Sequence, residues 1–533
     1  MQKIVTITAV ILIISCQVFA IKRVFRRQFH NKQFIPMKQN QRKTAVTEFD
    51  DRLQLLQTRQ ERLSPRHGLE VNALSEEKND EHEETTQETS LLAALHRKQN
   101  RHRERNRKQP NDVRPQTSTL QVEENELQTD DTIANINTEQ NIAHLLYEGD
   151  ITLTSEQHEF LNIDMEANSA SREKRQAFRN DQFPRNIWGE GPIPYKLHPS
   201  LSPHAVKMIE KSIAFWQENT CIDFAFNASG QNSILFIKGT GCYSYVGRVW
   251  YWSQQHISVG QRCEHFHTIS HEIGHTLGFF HAHNRADRDH HVSIKLKNTK
   301  KGLETNFRKE TFVTNNNYGI PYEYGSVMHY SKKAFSGNGR KTIIPKDTLF
   351  IDTMGSGTGP SFLDVLMMNT HYYCLSRCQG DTVKCENGGY PHPRRCDECI
   401  CPSAFAGVRC EKKAYSPGCG DILRAEKHWQ VLNATLGDLT LRDDMSYCYW
   451  WIMSKDTEEI EVRIDRLDGL CSEGCIYGGL ELKALFDKRT TGYRFCCGHS
   501  SGTFVTASGP NLPVILFNRK FYTSFVISYR VSP

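Results

Sequence analysis

One short stretch decides how this 533-residue chain is interpreted, and it reads His271-Glu272-Ile273-Gly274-His275-Thr276-Leu277-Gly278-Phe279-Phe280-His281. Residues i and i+4 share one face of a helix, so His271 and His275 can offer two imidazoles to one metal ion, with Glu272 beside them. Gly278 permits the left-handed turn that brings the chain back and makes His281 a third ligand. Three neutral imidazoles with an open position for water are typical of a catalytic zinc site holding one Zn²⁺.

The competing interpretation is that this pattern is accidental. The chain has 23 histidines in 533 residues, and H-E-x-x-H alone would then arise by chance in about six of a hundred such chains. Adding the glycine and the third histidine at fixed spacing lowers that expectation to the order of two in ten thousand. Coincidence is therefore a poor explanation of the extended motif.

Length, charge and composition limit the remaining choices. A chain of 533 residues exceeds what one hydrophobic core organises, so it is expected to be multidomain. Lys and Arg exceed Asp and Glu by 66 to 61, which is too small an excess to favour nucleic acid as a partner. No cysteine lies between Cys16 and Cys221, and the first tryptophan is Trp188. The chain therefore divides into two halves of different composition.

The N-terminus predicts export. Residues 1–20 combine Lys3, a short apolar run and small residues before a cleavage site after Ala20, which is typical of a signal peptide. The alternative is a membrane anchor, but the run is shorter than the roughly 20 apolar residues that span a bilayer. We expect a secreted, extracellular protein with no membrane anchor. Cleavage removes Cys16 and leaves sixteen cysteines, an even number suited to disulfides.

Residues 21–175 are rich in Gln, Asn, Glu, Lys and Arg and contain neither Trp nor another Cys, so most of this segment is expected to be disordered. The basic stretch 96–103 could bind a polyanion, although charge runs of this kind are more often simply solvated. The segment ends in R-E-K-R at residues 172–175, which resembles a furin-type processing site. The resemblance implies a propeptide cleaved between Arg175 and Gln176 by a furin-like protease.

The region after the third histidine carries a family resemblance. Arg285, Asp287, Arg288 and Asp289 follow the zinc motif, and residues 324–330 read Tyr-Gly-Ser-Val-Met-His-Tyr. Together they resemble the astacin branch of the metzincin metalloproteases, including its S-x-M-H-Y Met-turn.

The resemblance assigns roles to two side chains of this Met-turn. It implies that Met328 lies beneath the metal, and that Tyr330 is a movable fifth zinc ligand of the resting enzyme that also stabilises the oxyanion. Read without the family, Met328 would be core packing and Tyr330 a buried phenol. The predicted reaction is peptide hydrolysis by a zinc-activated water, with Glu272 as general base.

Two further features concern activation. Tyr147-Glu148-Gly149-Asp150 resembles the F-x-G-D motif of astacin propeptides, which implies that Asp150 is a zinc ligand in the zymogen only. The chain departs from the family at Ala282, because astacins normally carry a Glu there that binds the mature amino terminus. Activation by propeptide removal is therefore less firmly predicted than the zinc chemistry.

The predicted catalytic domain, residues 176–374, is α+β. Apolar residues at near-helical spacing predict a helix over 203–219, and Ser361 with Asp364 forms a capping signature for a last helix ending near Cys374. By resemblance, this domain has two disulfides, Cys221–Cys374 and Cys242–Cys263.

Six cysteines between Cys378 and Cys410 lie in a stretch too small for an apolar core, so crosslinks must hold it together. Six cysteines allow fifteen pairings, and a Cys₄ zinc ribbon is an alternative. Residues 375–411 resemble an EGF-like module, and residues 419–533 resemble a CUB β-sandwich. The pairs implied by these resemblances are Cys378–Cys396, Cys385–Cys399, Cys401–Cys410, Cys419–Cys448, Cys475–Cys497 and Cys471–Cys496.

The sequence thus predicts a secreted zinc endopeptidase, made as a zymogen, whose EGF-like and CUB modules recruit extracellular protein substrates. This arrangement most resembles nematode astacins, for which cuticle or matrix proteins are the expected substrates. Asn227 and Asn433 begin glycosylation motifs. The alternative is an extracellular adhesion protein with weak catalysis that acts through its C-terminal modules.

Overall fold

The computed structural model describes residues 131–159, 161, 177–178, 184–228, 232–311, 315–378, 380, 383–455 and 458–533. All described residues belong to one compact unit. The predicted signal peptide, the basic stretch 96–103 and the processing site at Arg175 and Gln176 lie outside the described residues. We call residues 131–159 the N-terminal segment, 184–378 the central region and 383–533 the C-terminal region.

The strands before residue 378 are short, with two to six residues each. The strands, in chain order, are β1 (Ile151–Thr152), β2 (Ala177–Phe178), β3 (Ile193–Leu197), β4 (Phe224–Phe226), β5 (Ser233–Ile237), β6 (Cys242–Tyr245), β7 (Gln254–Val259), β8 (Val292–Ile294), β9 (Asn315–Asn316) and β10 (Ile343–Pro345). The helices are α1 (Ile133–Glu139), α2 (Pro203–Asn219), α3 (Phe266–Thr276) and α4 (Phe362–His371).

A mixed six-stranded sheet positions the candidate site. Its order is β1-β6-β7-β5-β3-β4, and β6 runs antiparallel to β7 while the other neighbours are parallel. Strand β1 of the N-terminal segment lies on the β6 edge, with Ile151 opposite Ser244 and Thr152 opposite Tyr245. The pairs β2–β9 and β8–β10 form two small antiparallel sheets. The N-terminal segment therefore covers the sheet edge nearest to α3.

Helix α2 follows the predicted bounds for clear local reasons. Ser202 accepts a hydrogen bond from the Ala205 amide at 3.0 Å, and Pro203 occupies the first turn. Its buried stripe packs into one core with α3, and the Trp216 indole donates to the Ser270 carbonyl at 3.3 Å. Combined with the mixed sheet, these helices give the α+β architecture predicted for this region.

Helix α4 also begins as predicted. Ser361 and Asp364 form a reciprocal capping box, in which each side chain accepts from the other residue's amide. The helix ends at His371, three residues before Cys374, and the chain continues as a short 3₁₀ turn. No helix among the described residues is long and apolar enough to cross a bilayer.

The C-terminal region is rich in β structure. Its strands are β11 (Tyr390–His392), β12 (Arg395–Ile400), β13 (Phe405–Ala406), β14 (Lys412–Lys413), β15 (Ile422–Arg424), β16 (Gln430–Met453), β17 (Ile460–Asp468), β18 (Gly478–Leu482), β19 (Tyr493–Phe495), β20 (Phe504–Ala507) and β21 (Asn511–Val531). The pairs β11–β12 and β13–β14 form two hairpin sheets, and the strands from β15 onward form one seven-stranded sheet around the long β16–β21 pair.

Six of the eight predicted disulfides are present with the predicted partners, and they are Cys221–Cys374, Cys242–Cys263, Cys378–Cys396, Cys385–Cys399, Cys401–Cys410 and Cys419–Cys448. The last two predicted pairs were wrong. Cys471 pairs with Cys497 and Cys475 with Cys496, so the partners are exchanged. Cys496 and Cys497 are adjacent, and successive residues of an extended chain point to opposite sides. Spacing therefore cannot tell them apart, whereas the direction of each side chain does.

Candidate metal centre

The first two histidines lie on α3, where their side chains and that of Glu272 are almost completely buried. The helix ends at Thr276, and Gly278 adopts a φ of +110°. A Cβ at Gly278 would lie 2.8 Å from Nε2 of His371, so only glycine fits this bend. The chain then turns back and brings the His281 ring within 5.1 Å of the His271 ring and 4.8 Å of the His275 ring, centroid to centroid.

Four side chains converge on one point. Each of His271, His275, His281 and Asp150 offers one ligand atom, and these atoms all lie within 4.8 Å of one another. Oδ2 of Asp150 is 3.1 Å from Nε2 of both His271 and His281, and its Oδ1 is 3.3 Å from Nε2 of His275. The structure therefore brings together the three predicted histidines and the predicted zymogen ligand.

Each imidazole is oriented by a hydrogen bond from its other nitrogen. Nδ1 of His271 donates to the Val327 carbonyl, and Nδ1 of His275 donates to the Phe279 carbonyl, both at 2.7 Å. Nδ1 of His281 donates to the Glu148 carboxylate, also at 2.7 Å. Because Nδ1 carries the proton in each neutral ring, Nε2 keeps its lone pair for a metal. Burial also lowers the pKa of His275 to about 4, which keeps that ring neutral. Burial lowers the pKa of His281 as well, but the carboxylates of Asp150 and Glu148 outweigh it and raise that pKa to about 9, so a metal ion would have to displace a proton from this ring.

These contacts fit a tetrahedral zinc ion. Nε2 of His271 and Nε2 of His281 lie only 3.3 Å apart, and both face the carboxylate of Asp150. Converging lone pairs repel one another unless a cation lies between them. Zinc–nitrogen bonds of about 2.0–2.1 Å in a tetrahedron place ligand atoms about 3.3 Å apart, which agrees with these separations. The three histidines and Asp150 would hold the ion.

Glu272 and Tyr330 flank the cluster. Glu272 is completely buried, and neither of its carboxylate oxygens has a hydrogen-bond partner within the described residues. Burial, followed by the charge of Asp150, raises the pKa of Glu272 well above its ordinary value. The Tyr330 hydroxyl donates to Oδ2 of Asp150 at 2.5 Å and lies 3.1 Å from the Glu148 carbonyl oxygen. Tyr330 therefore contacts the cluster directly, and Glu272 is near enough for the charge of Asp150 to act on it.

The N-terminal segment brings Asp150 to this point through strand pairing and through the hydrogen bonds of one side chain. Strand β1 pairs with β6 directly after Asp150. The Asn137 side chain donates to the carbonyls of Gly149 and Cys242, at 2.9 and 2.7 Å, and accepts from the Cys242 amide. Although burial raises the pKa of Asp150, the imidazoles of the cluster lower it more, and the carboxyl stays well below its ordinary pKa.

The Met-turn lies against the ligand helix. The Met328 sulfur would be 2.9 Å from a Cβ at Gly274, so the thioether packs where α3 has no side chain. Asp364 of α4 accepts from the Ser326 hydroxyl at 2.5 Å and from the Val327 amide at 2.8 Å. The carboxylate that completes the capping box of α4 therefore also fixes the turn whose Val327 carbonyl accepts from His271. The cap had a recognisable sequence signal, whereas this second role had none.

Glu148 is a functional residue that was not predicted from sequence. Its carboxylate accepts from Nδ1 and the amide of His281 and from the Asn284 side chain, at 2.7, 3.2 and 2.8 Å. Its place inside the Tyr-Glu-Gly-Asp motif was the available signal.

Ala282 is buried, and its amide donates to the Met328 carbonyl at 2.9 Å. Asn227 and Asn433 are exposed.

Comparison with known proteins gives the family. The family model of the astacin peptidases matches residues 180–373. The chain is 41% identical over 406 residues to "Zinc metalloproteinase nas-31" of Caenorhabditis elegans, covering 75% of this chain and 66% of that protein. It is 38% identical over 367 residues to "Zinc metalloproteinase nas-29" of the same organism, covering 68% of each. The chain thus spans about two thirds of the length of these relatives.

Among solved structures, the chain matches High choriolytic enzyme 1, a hatching enzyme zinc-protease from Oryzias latipes, at 30% identity with a TM-score of 0.34. The match covers 39% of this chain and 99% of that one. The range of this chain that the family model matches includes the whole histidine motif and the Met-turn. The chain therefore belongs to the astacin family of zinc metalloendopeptidases, and zinc is its metal.

Proposed function

We propose that this chain is a secreted endopeptidase, made as a zymogen, that hydrolyses peptide bonds in extracellular proteins. The observation that carries the proposal is the position of Asp150 among the three histidines, with a carboxylate oxygen 3.1–3.3 Å from each Nε2. A carboxylate in the fourth position of a three-histidine site excludes the water that hydrolysis needs. The N-terminal segment is then the inhibitory part of a propeptide, and the freed site is the catalytic one.

The chain's own residues provide the proton transfers. When bound, zinc lowers the pKa of a coordinated water and polarises the scissile carbonyl. Glu272, with both carboxylate oxygens free of hydrogen-bond partners in the described part of the chain, takes the proton from the attacking water and returns it to the leaving amine. The Tyr330 hydroxyl donates to Asp150 in this form. When the N-terminal segment has been removed, this hydroxyl is free to donate to the developing oxyanion.

Substrate binding follows from the sheet edge. Strand β1 pairs with β6 along the edge that β7 does not occupy. Removal of the N-terminal segment would therefore expose backbone groups of β6, which runs from Cys242 to Tyr245. An extended peptide can add to such an edge by main-chain hydrogen bonds, which favours endopeptidase action on unfolded or flexible protein segments. Thr276 at the end of α3 contacts this edge through Ser244, so the edge is next to the metal centre.

The other parts of the proposal come from sequence. The chain enters the secretory pathway through residues 1–20, a furin-like protease cleaves between Arg175 and Gln176, and Asn227 and Asn433 carry glycans. Residues 375–411 and 419–533 are taken as EGF-like and CUB modules. Cuticle or matrix proteins are the proposed substrates, on the analogy of nematode relatives.

A casein assay on the processed protein tests this proposal. We expect hydrolysis that stops when a zinc chelator is added and returns with added Zn²⁺. The matched control is Glu272→Gln, which preserves the histidines and removes the proton acceptor. Hydrolysis that is insensitive to the chelator, or equal in the Glu272→Gln protein, would reject the proposed chemistry. Complete absence of hydrolysis would favour the adhesion alternative, which the departure at Ala282 supports.

A further inference from the structure

The C-terminal region lies directly against the Met-turn. The Thr491 amide donates to the Glu323 carboxylate at 3.0 Å, and the same carboxylate accepts from the Gly325 amide at 2.9 Å. Glu323 is 4% exposed and precedes the Met-turn, whereas Thr491 precedes β19. One buried carboxylate thus joins backbone groups that are far apart in the chain.

The two surfaces approach so closely that side chains are excluded. A Cβ at Gly325 would collide with Thr491, and a Cβ at Gly357 would collide with Ile476. From the other side, Gly474 has a φ of +63°, and a Cβ there would collide with the Gly355 carbonyl. Close contact at three glycines requires one defined position of the two regions. A flexibly tethered module has no need of such contacts.

Charged groups are buried in the same interface. Arg494 of β19 donates from Nε to the Glu481 carboxylate at 2.8 Å and from Nη1 to the hydroxyls of Ser356 and Thr358. Lys483 is 2% exposed and lies 4.0 Å from Glu481. A buried charge that loses its partners is strongly destabilising, so separation of the two surfaces is unfavourable.

One line of contact connects this interface to a metal ligand, and a second reaches the Met-turn. In the first, Glu323 holds Gly325, and the Met-turn then presents the Val327 carbonyl to Nδ1 of His271 at 2.7 Å. In the second, aromatic rings pack against one another in sequence. The Tyr493 ring lies 4.6 Å from Phe350, and Phe350 stacks at 4.1 Å on Tyr324 of the Met-turn.

We propose that the C-terminal region is a fixed support of the Met-turn, and that Glu323 is the positioning residue through which it orients His271. This deepens the proposed function, on which it rests, because it gives the C-terminal region a role in turnover besides substrate recruitment. The Thr491 amide restrains Glu323, Glu323 restrains the turn, and the turn restrains the first zinc ligand. Loss of the contact lowers the fraction of molecules with a correctly held imidazole.

Amide hydrogen exchange on the full-length chain tests the contact, and steady-state kinetics on the processed chain test its effect. Glu323→Ala should raise exchange at Gly325 and Thr491 about tenfold, because one net hydrogen bond corresponds to roughly that factor. It should also lower kcat about tenfold while KM changes less than about twofold. Glu323→Gln retains one acceptor oxygen and should restore most of both. The matched control is Glu461→Ala, which breaks a pair with Arg530 inside the C-terminal region and should change neither.

Three outcomes would overturn the proposal. Unchanged exchange at Gly325 and Thr491 in Glu323→Ala would show that the contact does not restrain the turn. Faster exchange with unchanged kcat would show that the restraint does not reach the metal centre. An equal effect of Glu461→Ala would show a general loss of stability. If Glu323→Ala fails to fold, Arg494→Ala gives the same readouts from the other side. Hydrogen exchange can be measured on a protein that has no protease activity. Failure of this proposal can therefore be distinguished from failure of the proposed protease function.

Discussion

Replacement of Asp150 by alanine should activate the unprocessed protein. The carboxylate lies 3.1–3.3 Å from three imidazole nitrogens and accepts from the Tyr330 hydroxyl at 2.5 Å, with no exposure to solvent. Removing one partner of a buried charged cluster costs about 3–5 kcal/mol. Each increment of about 1.4 kcal/mol is a factor of ten, so the open form of the N-terminal segment gains about a hundredfold to a few thousandfold in population.

Part of the inhibition should remain in this variant. The bonds of Asn137 to Gly149 and Cys242, and the pairing of β1 with β6, do not involve the carboxylate. We therefore expect the unprocessed variant to reach at least about a hundredfold more activity than the unprocessed wild type, but less than the processed enzyme.

The assay uses a quenched fluorescent peptide, with Arg175→Ala present in every protein to prevent cleavage of the propeptide. The matched control is Glu156→Ala, because Glu156 is an exposed carboxylate on the same segment. Asp150→Ala activity that equals that of the Glu156→Ala control would refute the assignment of Asp150 as the group that blocks the zinc.

Three further predictions concern individual groups. Glu272→Gln should lower kcat at least about a thousandfold with unchanged zinc content, because the acceptor of the water's proton is lost; undiminished kcat would contradict this. Gly278→Ala should lower the free energy of unfolding by about 2–5 kcal/mol, from backbone strain and collision with His371, in denaturant titration. The control is Gly302→Ala, because Gly302 has a φ of +90° and no atom lies within 4 Å of an added Cβ, so this variant should lose only the stability that backbone strain costs. Equal losses of unfolding free energy in the two variants would exclude a contribution from the collision with His371. Burial raises the pKa of Glu323 from 4.5 to about 7, so its contribution to stability is complete below pH 4.5 and is lost as pH rises through 7. Glu323→Gln should flatten this dependence between about pH 4.5 and 7, and an unchanged slope would contradict it.

The metal centre was the part of this structure most accessible from sequence. His271 and His275 are separated by one helical turn, and Gly278 marks the bend before His281, so local geometry predicts their convergence. Asp150 is distant in the chain, and only its resemblance to a propeptide motif suggested its position. In both cases the sequence contained a short pattern, but only the histidine spacing had a direct geometric meaning.

Contacts between distant segments had no such pattern. Asp364 was recognisable as a helix cap, but its bonds to the Met-turn depend on how α4 packs. Glu323 and Thr491 meet only because two regions dock, and spacing carries no information about docking. The partners of Cys496 and Cys497 were exchanged for a similar reason, since adjacent residues differ in side-chain direction and hardly at all in position along the chain.

The central claim is that His271, His275 and His281 hold one zinc ion. Elemental analysis of the purified full-length protein by plasma mass spectrometry tests it most directly, with His275→Ala as the comparison. We predict one zinc per chain in the wild type and a large loss from the variant after dialysis against a weak chelator. A wild-type protein without stoichiometric metal, or a variant that retains zinc equally well, would contradict the account.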